Sequence, residues 1–75
     1  MHVLQTEIEQ RWRAMFAALA GGDDVSPALR LRTEGMMETA VLLAIATPDE
    51  LLDAMERCYQ TAYGRGISED FGADW

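Results

Sequence analysis

Thr47-Pro48-Asp49-Glu50, running on into Leu51-Leu52-Asp53-Ala54-Met55, is the stretch on which the fold turns. Threonine suits a helix N-cap because its hydroxyl accepts a hydrogen bond from a free first-turn amide. Proline suits the first helical position, where its missing N–H costs nothing, and glutamate at the third position reaches back to complete a capping box. One helix therefore starts at Pro48, and whatever precedes Thr47 must stop there. Leu51, Leu52, Met55, Cys58 or Tyr59, and Ala62 recur at helical spacing and make its buried side. Asp49, Glu50, Asp53 and Glu56 gather outward in its first half, where carboxylates complement the positive end of the helix dipole. Gly64 after Tyr63 is a left-handed cap and Gly66 opposes continuation, so the spacing predicts a helix over 48–63.

Working back, Ser26-Pro27 is a second start signal of the same kind, and it predicts a helix over 27–46. Leu29, Met36, Ala40 and Leu43 form one stripe on it, and Met37, Val41, Ala44 or Ile45 form a second beside the first. The C-terminal half is then apolar nearly all round, the pattern of a centrally placed helix. Gly35 lies inside this helix at a cost of about 1 kcal/mol relative to alanine, which points to a close helix crossing. Before it, Leu4, Ile8, Trp12, Met15 and Leu19 make one face of a helix over about 3–20. Glu7 with Arg11 and Glu9 with Arg13 have the order and spacing of stabilising pairs on its other side. Gly21-Gly22-Asp23-Asp24 ends it. The expected fold is an all-α three-helix unit in one domain. Residues 64–75 form an acidic aromatic tail with at most one helical turn after Ser68.

Composition narrows the function classes. A chain of 75 residues buries only roughly 60% of the surface its unfolded form exposes, yet 49% of this one is apolar. The surplus predicts a homodimer, with Trp12, Met15, Phe16, Gly35, Met36, Met37, Val41, Met55 and Tyr59 serving core or dimer packing. Thirteen acidic residues against six basic ones, all arginine, give a net charge of −7. A field of that sign repels phosphate and disfavours direct binding to nucleic acid or an anionic membrane, while favouring basic partners. Thr39 to Ala46, the longest apolar stretch, falls well short of the roughly 20 residues a membrane span requires. One cysteine excludes an intramolecular disulfide framework, and the opening residues show no secretory pattern, so a cytoplasmic location is expected.

Chemical motifs fare poorly on inspection. A helical di-metal site draws on inward glutamates with a Glu-x-x-His pair, whereas the lone histidine here is His2, away from Glu34, Glu38, Asp53 and Glu56. Cys58 sits late in its helix, where the dipole opposes a thiolate, and reads as a small core residue. An acyl carrier would need an Asp-Ser-Leu attachment motif, but Ser26 is followed by Pro27 and reads as a cap. No cofactor, metal or catalytic residue is expected.

What remains is a non-enzymatic interaction protein: a regulator, inhibitor or adaptor of another protein that offers a basic or apolar groove. A sharper version has it blocking a transcription factor or a nucleic-acid-binding protein, as inhibitors from phages and mobile elements do. Asp23, Asp24, Asp49, Asp53 and Glu56 are the candidate electrostatic contacts, and Phe71 and Trp75 either anchor in a partner's pocket or fold back over the open end of the core, near Trp12. Met15, Met36, Met37 and Met55 suit an adaptable groove. The alternative class is a structural subunit of a helical oligomer.

Overall fold

Start signals read from the sequence set the helix boundaries in the computed structural model, which describes residues 2–71 and, of Ser68 and Phe71, only the backbone. The order is α1 (Val3–Ala20), α2 (Pro27–Leu42), α3 (Pro48–Tyr63) and a short α4 (Ile67–Phe71), an all-α three-helix unit with one appended turn. At α3 the capping box is complete: the Glu50 amide donates to Thr47 Oγ1 at 3.2 Å, and the Thr47 amide donates to Glu50 Oε1 at 3.1 Å. The same device opens α1 without serine or threonine, since His2 Nδ1 accepts from the Leu4 amide at 3.0 Å and the His2 amide donates to Gln5 Oε1 at 3.2 Å. Ser26 is the N-cap of α2, but its hydroxyl makes no capping bond. The fixed φ of Pro27 and the Ser26 carbonyl, which accepts from Leu29 and Arg30, start that helix instead.

The second helix ends at Leu42 rather than Ala46. Ala44 adopts the left-handed conformation at φ 56°, and two hydrogen bonds close a Schellman turn, Ile45 N–H to Ala40 C=O at 2.8 Å and Ala44 N–H to Val41 C=O at 3.0 Å. Half-buried Ile45 and buried Ala46 continue the apolar period through this loop, so burial outlasts the helix. Gly22 occupies the equivalent place after α1 at φ 89°, where glycine carries no penalty. Ala44→Gly is therefore expected to raise stability by about 1 kcal/mol, read as a higher urea midpoint at unchanged slope; a lower midpoint would contradict it.

Helix α1 packs chiefly on α3, and α2 lies chiefly against α1. The core holds Ile8, Trp12, Met15 and Phe16 from α1 and Leu51, Met55, Cys58 and Tyr59 from α3, with Ala40 and Ile67. Arg57 of α3 pairs with Glu9 of α1 at 3.0 Å, which replaces the expected Glu9–Arg13 pair, while Glu7 and Arg11 pair as the spacing predicts.

The central position expected for α2 belongs to the α1–α3 pair. Only Thr33 and Ala40 of α2 are buried; Val41, Leu42 and Leu43 are exposed, and so is Leu29, expected inward from its stripe. Helix α2 packs chiefly on one neighbour, and a helix so placed buries one narrow stripe, here Thr33 and Ala40. Gly35 marks no crossing, because a Cβ placed there would meet nothing within 4 Å. Leu19 and Leu52, read as buried, are about half exposed, and Met36 and Met37 are half-buried.

Candidate functional site

Two aromatic pairs spaced i, i+4, Trp12–Phe16 on α1 and Tyr59–Tyr63 on α3, meet across the helix interface. Trp12 stacks on Phe16 with ring centroids 5.1 Å apart, Phe16 meets Tyr59 edge to face at 5.2 Å, and Tyr59 lies against Tyr63 at 4.4 Å. These distances suit favourable aromatic contacts. Because α2 rests on α1, the four rings are left as the floor of an open groove of about 590 Å³. Buried Met15 and Met55, half-buried Val25, and the exposed Leu19 and Pro27 continue its apolar lining. Arg30 and Glu34 on α2 sit at the rim, their charges 3.8 Å apart. Trp12 also donates from Nε1 to Met37 Sδ at 3.1 Å, a weak bond that ties the floor to α2.

Helix α4 adds Ile67 to the groove lining, and polar contacts hold it on α3. Both carboxylate oxygens of Glu56 accept from the Ile67 amide at 3.1 Å, and Gln60 donates to Glu56 Oε1 at 3.3 Å. The Tyr59 hydroxyl donates to the Asp70 carboxylate, which also pairs with Arg65. That hydrogen bond, with burial and the carboxylate charge behind it, pushes the Tyr59 hydroxyl up to about 12. It also holds the Asp70 carboxyl below its ordinary value, helped by Arg65 and opposed by burial. The contact is therefore complete across neutral pH. It weakens as pH falls through the lowered Asp70 value, and on the alkaline side as pH rises from 10 towards about 12.

The residues expected to bind a partner are distributed over different surfaces. Asp49 and Asp53 are exposed on the first half of α3, and Asp53 borders a shallow polar hollow of about 190 Å³ that also contains the Glu9–Arg57 pair. Glu56 is half-buried against α4, so its carboxylate is committed to the Ile67 amide rather than to solvent as expected. Asp23 and Asp24 are exposed immediately before Val25 of the groove wall. The Phe71 side chain and Trp75 lie outside the described residues. Of the residues assigned to packing, Trp12, Met15, Phe16, Met55 and Tyr59 converge on the groove.

Sequence reasoning did not single out Tyr63, Val25, Pro27 or Ile67 as site residues. The i, i+4 aromatic pairs were a readable signal, but nothing in the sequence says that their two helices would face each other. Cys58 is buried with Sγ 3.6 Å from the Glu9 carbonyl, and burial pushes its thiol up, with Arg13 opposing and Glu9 adding. Among the described residues no group of three or more His, Cys, Asp or Glu side chains is placed to hold a metal ion. No described helix is long and apolar enough to cross a membrane. Comparison with known protein families, curated proteins and solved structures finds no match to this chain.

Proposed function

We propose that this chain is a small acidic protein-binding protein, a regulator, inhibitor or adaptor that receives the apolar face of an amphipathic helix from a basic partner. The observation that supports this reading best is the aromatic-floored groove. Its floor is aromatic and apolar, and although Trp12, Phe16, Tyr59, Met15 and Met55 are themselves mostly buried, grooves of this composition take apolar anchors from partner helices. Met15 and Met55 allow the floor to adapt to more than one side-chain shape.

Charge supports a basic occupant. The loop before α2, α2 itself and the segment of α4 carry Asp23, Asp24, Glu34, Glu38, Glu69 and Asp70 against Arg30, Arg32 and Arg65, within a chain of net charge −7. Such a field speeds encounter with a cationic helix and repels nucleic acid. The groove offers contact area rather than a convergent nucleophile, base and oxyanion donor, which favours a binding role over an enzymatic one.

A second reading, an assembly subunit or homodimer, is favoured by Leu42 at 84% and Leu43 at 62% exposure, beside the end of α2. Substitution separates the two. Leu19→Glu places a charge at the groove edge, and Leu52→Glu places one on an exposed leucine that does not line the groove. A protein bound by the unsubstituted chain and by Leu52→Glu, and bound at least about tenfold more weakly by Leu19→Glu in a titration of the purified pair, is the expected result. Binding that is indifferent to Leu19→Glu, or a chain that recovers only its own copies, would remove the groove from the account.

A further inference from the structure

Helix α4 is attached in a way its size does not explain. Five residues are too few for a helix to persist unaided. Ile67 is the one buried side chain among those described on it, at 2% exposure. The other attachments described for it are polar: the Ile67 amide to Glu56, the Gly66 amide to Glu69 Oε2 at 3.1 Å, and Asp70 to both Tyr59 and Arg65. They tie α4 to α3 and to its own connection, with Gly64 at φ 73° as the turning point.

We propose that α4 is a latch that opens independently of the three-helix unit. While closed, its Ile67 holds a place in the aromatic groove that an apolar side chain of an incoming helix would otherwise fill. The opening follows from the way α4 is bonded. A five-residue helix whose described attachments are one buried isoleucine and a few exchangeable carboxylate contacts opens at lower free energy than helices sharing a core. The autoinhibitory consequence rests on the groove reading above. When the latch lifts, the groove loses Ile67 from its lining and gains the space that the isoleucine filled.

Two substitutions loosen the latch by different routes without removing a core side chain. Asp70→Asn takes away the charge shared with Tyr59 and Arg65. Gly66→Ala places a Cβ 2.6 Å from Glu56 Oε1, so the Glu56 carboxylate must swing away from the Ile67 amide it caps. Amide hydrogen exchange on the full chain reads opening directly, with the Ile67 amide reporting the latch and the Met55 amide reporting the core of α3. The expected result is Ile67 exchange at least about tenfold faster than Met55 in the unsubstituted chain, after correction for intrinsic rates, and about tenfold faster again in Asp70→Asn, with Met55 unchanged; Gly66→Ala, which takes away the Ile67 amide's own acceptor, is read by dye binding alone. Binding of the uncharged polarity-sensitive dye Nile red rises in both variants as the groove gains that space.

If Ile67 and Met55 exchange together in the unsubstituted chain and in Asp70→Asn, α4 opens only with the whole fold and the latch is refuted. If Ile67 loosens while dye binding stays level, α4 moves but does not occupy the groove. Neither readout uses a protein partner, so the latch and the partner-binding reading fail separately.

Discussion

Trp12→Ala is expected to lower stability by about 3–5 kcal/mol, enough to take away most of the net stability of a chain of this length. Trp12 is 8% exposed, and its ring does three things at once. It stacks on Phe16, donates to Met37 of α2, and lines the groove. The stacked pair contributes about 0.5–1.5 kcal/mol beyond burial. Domains of ordinary size hold about 5–15 kcal/mol, and one this short sits near the lower bound. Urea unfolding followed by far-ultraviolet circular dichroism measures the loss. Trp12→Phe should keep a cooperative transition at a reduced midpoint, because a smaller ring still meets Phe16. A wild-type midpoint for Trp12→Ala would mean that α2 is not held through this ring.

Ile8→Ala should cost about 2–5 kcal/mol, and Ile8→Val about 0.5–1.5 kcal/mol. Ile8 is 1% exposed, one step of four before Trp12, and sits in the cluster that joins α1 to α3. Unlike Trp12 it does not line the groove, so the whole cost is that of a cavity in the central helix pair. The Val and Ala variants together give a slope of stability against volume removed, measured by the same urea titration. A cost for Ile8→Ala below that expected for Ile8→Val would show that the α1–α3 interface closes over the vacancy.

Helix positions were legible because they depend on local chemistry. Thr47-Pro48 with Glu50, Ser26-Pro27, Gly21-Gly22 and Gly64 act within a turn of where they stand, so α1 and α3 fall where the spacing put them. His2 escaped notice as a cap because its Nδ1 does the work usually given to a hydroxyl. The end of α2 escaped for a different reason. Ala44 accepts a left-handed conformation that glycine would suit better, and Ile45 and Ala46 keep the apolar rhythm beyond the last helical turn.

The candidate site was legible in its parts and not in its assembly. Trp12, Met15, Phe16, Met55 and Tyr59 could be assigned to buried faces from periodicity alone. That they would line an open groove depends on α2 resting against α1 and leaving α3 uncovered on that side. Likewise the acids of α3 share one outward face in sequence, yet Glu56 is drawn inward by the Ile67 amide, an attachment that exists only once α4 has folded back.

The sequence by itself determined an all-α chain, the number and starts of its three principal helices, its acidity and the identity of most core residues. Each follows from hydrogen-bond capping, apolar spacing or charge, which act locally or simply add along the chain. The tertiary structure alone decided which helices form the central pair, that Gly35 faces open space, that Val41 and Leu43 lie outside the core, and that four rings line a groove closed in part by Ile67. Those outcomes depend on side-chain volumes meeting across helices distant in sequence, and a period of 3.6 residues records which face is apolar without recording what will cover it.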